Sequence, residues 1–350
     1  MSLQGDPDPS DQATGLPNYN SDIQVDPSFI SQDSWSDENS YYVRSGEYSD
    51  DSLRSSIYEY RFENGRRYHA YKDGKYAIPN DEAEQDRLDT IHHIYLLMLD
   101  DQLHLAPIAP NPRNILDVGT GTGIWAIDAA ERYPTAQVIG TDLSPIQPSW
   151  VPPNVQFQID DAEMEWTFEE NTFDLVHIRH LTGGVSDWDK LLKEAYKALK
   201  PGAWLDLSEF EFWLFSDDNS LPVTSPIYRY YEAVNNAASA RGREFRKAAC
   251  LDQHIANAGF INAHHLRYKI PYGTWPADRK QKEMGAYLLL TAENAFEAFA
   301  LAPLTREAAM PLEEVEQLIR LAKRDSTNRK MHSYSLQHLY YAQKPETENS

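Results

Sequence analysis

Asn114-Ile115-Leu116-Asp117-Val118-Gly119-Thr120-Gly121-Thr122-Gly123 is a short apolar run that closes on three glycines at alternate positions. Ile124-Trp125-Ala126-Ile127-Asp128-Ala129-Ala130 follows and reads as a helix. Strand, glycine turn and helix in that order open a nucleotide-binding βαβ unit. The glycines permit a tight turn and let a ligand reach bare backbone. The helix start adds N–H groups that have no partner within the helix. Spacing then separates the cofactor classes. A dinucleotide fingerprint, G-x-G-x-x-G, needs its third glycine where this chain has Ile124. Asp117, just before the turn, would repel a pyrophosphate but can hold an ammonium. The turn therefore suits a cationic cofactor better than NAD, and an NAD-dependent Rossmann enzyme is disfavoured.

Working outward, three more strands follow in order. Val138-Ile139-Gly140-Thr141-Asp142-Leu143 ends in an acid placed to meet ribose hydroxyls. Val155-Gln156-Phe157-Gln158-Ile159-Asp160-Asp161-Ala162 also ends in acids. Phe173-Asp174-Leu175-Val176-His177-Ile178-Arg179-His180 is the fourth. A helix from Lys190 to Leu199 stops at Pro201-Gly202, and Ala203 to Glu209 reads as a fifth strand. Alternating strands and helices imply a mainly parallel, doubly wound sheet. Arg246 to Ala258 reads as a helix ended by Gly259, and Ile261–Ile270 with Tyr334–Ala342 as a closing antiparallel pair. Thr224–Arg243 and Pro276–Arg329 are helical insertions. Helices are expected over Asp51–Asp101, one of them capped at Asn80-Asp81 and carrying Leu88, Ile91, His92, Tyr95, Leu96 and Leu99 at helical spacing.

The four motifs in this order resemble those of the class I S-adenosylmethionine-dependent methyltransferases, from about Arg113 to Phe212. The resemblance implies an α/β fold: a Rossmann-like seven-stranded sheet with an N-terminal helical lid and helical insertions. It implies S-adenosylmethionine as cofactor. Asp117 and the turn through Gly119, Thr120, Gly121 and Gly123 would hold its methionine part, and Asp142, followed by Leu143, its ribose. Asp161 and Ala162 would contact the adenine. The segment near Arg179 would line the transfer site. Outside the core, Asn64-Gly65-Arg66-Arg67-Tyr68-His69-Ala70-Tyr71, Gly74-Lys75-Tyr76, Pro79-Asn80-Asp81-Glu82 and Asp86-Arg87-Leu88-Asp89 are similar to the N-terminal signature of fungal LaeA-like methyltransferases. His177-Ile178-Arg179 and Asp187-Trp188 extend the similarity. That group holds both regulators of secondary metabolism and enzymes of biosynthetic clusters.

Bulk properties narrow the function. A chain of 350 residues can bury a sizeable core. Its net charge of −22 disfavours general binding to nucleic acid or anionic membrane. Residues 1–60 hold twelve Asp and Glu against two Arg, so that stretch carries −10 of the total. Residues 1–52 read as a disordered acidic tail with Tyr41, Tyr42 and Tyr48 as local exceptions. The domain then runs over 53–345: a lid at 53–110, a cofactor-binding core at 111–215, and the remaining core with substrate-side insertions at 216–345. Cys250 is the single cysteine, which excludes an internal disulfide and a Cys-based zinc site and favours a cytoplasmic or nuclear setting. No secretory leader or membrane span is expected, and no metal.

Methyl transfer needs orientation and a dry site more than acid–base power, because the donor is already activated. Where the acceptor must lose a proton, His180 and His177 at the end of the fourth strand and Glu209 at the end of the fifth are the candidate catalytic groups. His177 also suits a hydrogen-bonded role inside its strand. His69, Arg66 and Arg67 suit ordering of the lid, and Trp125, Trp188, Trp204 and Trp213 suit core packing. Arg179-His180-Leu181-Thr182 stands where amino-methylating nucleic-acid enzymes carry Asp/Asn-Pro-Pro-Tyr/Phe/Trp. Two functions are therefore expected: a methyltransferase acting on a small metabolite at oxygen, or a LaeA-type nuclear regulator that works through protein partners, the acidic tail among its contacts.

Overall fold

The computed structural model of the chain describes residues 21–29, 60–69 and 76–346. The helical expectation for 51–101 fails at Arg61–Tyr68, with residues 51–59 lying outside the described ones. β1 (Arg61–Glu63) pairs antiparallel with β2 (Arg66–Tyr68). Between them Asn64 and Gly65 sit at φ +51° and +76°. This is the two-residue hairpin turn whose twist matches paired strands, and Asn-Gly is the dipeptide that tolerates it. The expected helix then follows as α1 (Glu82–Met98), with the Asp81 carboxylate accepting the Glu84 N–H at 3.1 Å.

From β3 (Asn114–Val118) the chain alternates through α2 (Ile124–Arg132), β4 (Gln137–Asp142), β5 (Val155–Ile159), β6 (Phe173–Arg179), α3 (Trp188–Ala198) and β7 (Leu199–Phe215). α4 (Pro226–Ala240) and the short α5 (Leu251–Ala258) lead to β8 (Ile261–Pro271). Next come α6 (Arg279–Ala302), α7 (Leu312–Ser326) and β9 (Tyr334–Gln343). The seven strands lie in the order β5-β4-β3-β6-β7-β9-β8. β3 to β7 are parallel, and β9 is antiparallel to both β7 and β8. This is the sheet the resemblance implies. The winding direction reverses between β3 and β6, so a ligand crevice belongs beyond their carboxyl ends.

The central strands are buried on both faces, hence their apolar runs. α2 lays Trp125, Ala126, Ala129 and Ala130 over Ile115, Val138 and Leu175 on one face. α3 packs Trp188, Leu191, Leu192 and Ala195 over Val176 and Leu205 on the other. β7 is longer than the expected Ala203–Glu209. As far as Ser208 it pairs with β6; beyond that only β9 continues beside it. The overhang carries Phe210, Phe212 and Leu214 past the crevice. There α4, α6 and α7 pack on it with Tyr230, Phe296, Phe299 and Val315. The expected helix from Arg246 is shorter, since Ala248–Cys250 forms one 3-10 turn before α5.

Residues 21–29 lie inside the stretch expected as a solvated tail, yet they dock. Ile23 is buried with Trp275 and Tyr334, Val25 bridges Pro276, and Asp26 pairs with Lys282. Ile23, Val25 and Phe29 supply the apolar side chains that this requires. The rest of the expected tail, with Tyr41, Tyr42 and Tyr48, lies outside the described residues, as do Ala70, Tyr71, Gly74 and Lys75. Among the described residues no helix is long and apolar enough to cross a membrane.

Candidate active site

A cleft of about 880 Å³, open to solvent, lies at the carboxyl ends of β3, β4 and β6. Gly119, Gly121, Asp142, Leu143, Asp161, Ala162 and Arg179 all line it. These are seven of the ten expected cofactor residues. Gly121 stands at φ +58°, a conformation that disfavours any side chain, and a Cβ there would meet Leu88 at 3.4 Å. Asp142 is held by two backbone donors at 2.8 Å: Gly121 N–H on one oxygen and Ser144 N–H on the other. Each oxygen keeps a lone pair for a further donor. Burial pushes this carboxyl up to about 6, against the pull of those two N–H groups.

The other three sit one layer back. Asp117 is buried and accepts the Thr120 hydroxyl at 2.5 Å, so both brace the turn from beneath. Gly123 caps α2 at φ +82°, and a Cβ there would come within 2.4 Å of the Phe157 ring. Its role is close packing of helix on strand, the task of the third glycine in a dinucleotide turn.

The lid closes the cleft from α1. Arg66 forks onto Asp81 at 2.6 and 2.8 Å, and Arg67 reaches Glu82 at 2.7 Å and the Asn80 carbonyl at 2.7 Å. Asn80 in turn donates to the Ser144 hydroxyl at 3.2 Å. The signature arginines therefore fix the lid onto the end of β4, the ordering role expected of them. His69 is buried beside Tyr76, which lines the cleft.

Sequence reasoning missed Glu84 and Arg87. Both are buried, and they pair at 2.8 and 2.7 Å. Glu84 lines the cofactor cleft; Arg87 lines a second cavity of about 600 Å³. The signal was available, because both fall on the apolar face of α1, where a charge has to be explained.

That second cavity lies under the β7 overhang, walled by Phe210, Phe212, Tyr231, Phe296 and Phe299. Trp213 lines it too, while also packing against the core under the overhang as expected. His180 lines both cavities. Its backbone is left-handed, φ +58°, a strained setting for a side chain of this size. Tyr95 stands 3.0 Å from His180 Nε2 and gives its one hydroxyl proton to Gln337 at 2.9 Å. The contact to His180 is then a donation from Nε2–H, which leaves Nδ1 as the ring's acceptor. Burial, then the charges of Arg179 and Arg87, hold this imidazole well below its usual range, so it is neutral.

Of the three candidate catalytic residues, His177 and Glu209 line neither cavity. His177 donates from Nδ1–H to the Asp206 carboxylate, 2.9 Å away, and stacks on Trp125 with ring centroids 3.8 Å apart. It is a core residue because β6 is buried on both faces. Glu209 is fully buried and accepts Leu181 N–H at 2.7 Å and Thr182 N–H at 3.0 Å. It brackets the segment that follows His180 and so positions that side chain without touching either cavity. Burial pushes its carboxyl up to about 7, with the two donors pulling the other way.

Arg179 completes the cleft. Its guanidinium lies 5.0 Å from the Tyr95 ring centre and donates to His92 Nδ1 at 3.1 Å. His92 must then donate from Nε2 to Asp128, 2.9 Å away. Among the described residues no carboxylate pairs with Arg179.

The chain matches a family model described as a methyltransferase domain over residues 90–267. It is 39% identical over 295 residues to methyltransferase pytC of Aspergillus terreus, covering 84% of this chain and 91% of that protein. It is 35% identical over 301 residues to protein-methionine methyltransferase laeA of Emericella nidulans, covering 85% and 79%. Similarity extends to the secondary metabolism regulator of Cochliobolus heterostrophus, 38% identical over 81% of this chain and 94% of that one.

Proposed function

This chain belongs to the methyltransferase-domain family, and from that premise we propose that it methylates a small secondary metabolite at oxygen. The observation that carries the reading is His180, which lines both the cofactor cleft and the aromatic cavity. A donor in one and an acceptor in the other would meet there.

The cleft fits S-adenosylmethionine. Asp142 offers two carboxylate oxygens for the ribose diol. Arg179, a cation with no carboxylate partner among the described residues, matches the carboxylate of the methionine part, with Gly119 and Gly121 leaving room for the same part. Asp161 and Ala162, just past β5 in the same cleft, would meet the adenine edge. When bound, this cofactor supplies an activated methyl group on sulfur. The protein's own work is placement. Glu209 holds the loop after β6, that loop sets His180, and the neutral ring can accept a hydrogen bond from a hydroxyl at Nδ1 to aim the acceptor oxygen.

The test is incubation with methyl-labelled cofactor and a fraction of small phenolic metabolites. Label in an O-methyl product is expected. Label recovered only in protein would overturn the reading and favour the second one, a regulator of secondary metabolism acting on protein partners in the nucleus. The relatives bearing regulator and protein-methionine methyltransferase names support that alternative.

A further inference from the structure

We propose that the aromatic cavity admits a flat aromatic acceptor bearing an acidic hydroxyl, a phenol or ring-conjugated enol, and rejects aliphatic alcohols. The inference rests on the methyltransferase reading of the adjoining cleft. Shape is the first ground. The walls are ring faces and edges: Phe212 lies 4.7 Å from Tyr231 and 4.8 Å from Phe299, and Tyr230 4.9 Å from Phe296. Such surfaces favour a planar π system, through offset-stacked and edge contacts.

The polar groups are the second ground. Among the described residues Arg87 is hydrogen-bonded to Glu84 alone, through Nε and Nη2, and its guanidinium carbon stands 5.3 Å from the Phe299 ring centre. Nη1 is left as a charged donor for an oxygen in the cavity. No strong base faces that oxygen. His180 is a neutral ring whose basicity is depressed by burial and by two guanidinium groups. Glu211, also in the lining, is committed to Arg246 at 3.0 Å and lies 3.5 Å from His338. Tyr95 is spent on Gln337. The acceptor must therefore ionise largely by itself. A phenol, with a pKa near 10 in its simplest side-chain form, is within reach of a neighbouring cation; an alkanol is not.

The proton passes to solvent as the acceptor ionises. In transfer, an O–C bond forms at the methyl carbon while its bond to sulfur breaks. Sulfur keeps that electron pair, giving the methyl ether and S-adenosylhomocysteine.

The test uses the whole chain with S-adenosylhomocysteine bound. 2-Naphthol and 2-naphthalenemethanol are titrated separately, following the fluorescence of Trp213 and its neighbours. Naphthol is expected to bind about ten-fold more tightly than the alcohol, since only naphthol can ionise beside Arg87 and turn the hydrogen bond into an ion pair. Ala295 on α6 and Ser335 on β9 line this cavity and not the cofactor cleft, so Ala295→Phe and Ser335→Leu should each abolish the naphthol signal while leaving S-adenosylhomocysteine affinity unchanged. Two variants on different elements guard against one failing to fold. Equal binding of the two probes would overturn the acidity requirement. Naphthol binding untouched by both variants would overturn the site. Failure of S-adenosylhomocysteine itself to bind would count against the methyltransferase site instead, and is read separately from the probe titrations.

Discussion

Asp142 is the residue we propose to hold the ribose, and its titration gives a signed expectation. Burial raises its carboxyl from 3.8 to about 6. For folding, the associated stability is fully present below 3.8 and is lost as pH rises through about 6. For binding the sign reverses, because the ribose hydroxyls need the carboxylate. Affinity for S-adenosylhomocysteine should rise as pH increases through about 6 and level off above it, with Asp142→Asn flattening the profile. A titration series across that range checks this. Glu209→Gln places an amide where two backbone N–H groups converge, so one donor loses its acceptor. A loss of about 1–3 kcal/mol is expected in urea denaturation, with transfer activity falling as His180 loses its support. Sequence placed Asp142, Asp161 and Arg179 at strand ends, and all three line the cleft. His177 and Glu209 line neither cavity, and sequence alone could not separate that from a strand-end position, because a strand end and a buried strand interior look alike in one dimension.

Elements were legible where periodicity and caps agreed. The parallel strands, α1 and the antiparallel pair fall where sequence places them. The hairpin at Arg61–Tyr68 was not, although Asn64-Gly65 marks it, because strands of three residues carry almost no periodicity. Asp81 serves this hairpin and α1 together, as cap and as partner of Arg66. Asp81→Ala should therefore cost about 2–4 kcal/mol, above a cap alone, and weaken cofactor binding as the lid loosens. Glycines at positive φ should differ by their surroundings. Gly123→Ala brings a Cβ to 2.4 Å from Phe157, whereas at Gly65 nothing lies within 4 Å. The first should lose about 2–3 kcal/mol and the second about 1 kcal/mol, measured as shifts in denaturation midpoint.

At the scale of the whole molecule, a common cofactor sheet carries a roof of its own. α4, α6 and α7 pack on the β7 overhang, and the aromatic cavity is lined from α1, β7, α4, α6 and β9, stretches far apart in the chain. Sequence announced helical insertions but not their lining, since those contacts join residues far apart and follow no motif. The long β7 was also hidden: its overhang reads as an aromatic run, and only the register with β9 reveals it as strand. Phe296→Ala, in the roof, should destabilise by about 3–5 kcal/mol through the void it leaves. The most direct measurement of all is calorimetric titration of S-adenosylhomocysteine into the protein and into Asp142→Ala. One-to-one binding, weakened about ten-fold or more by the substitution, is expected from the two ribose hydrogen bonds at stake. Binding that the substitution leaves unchanged, or no binding to the protein at all, would contradict the placement of the cofactor in this cleft.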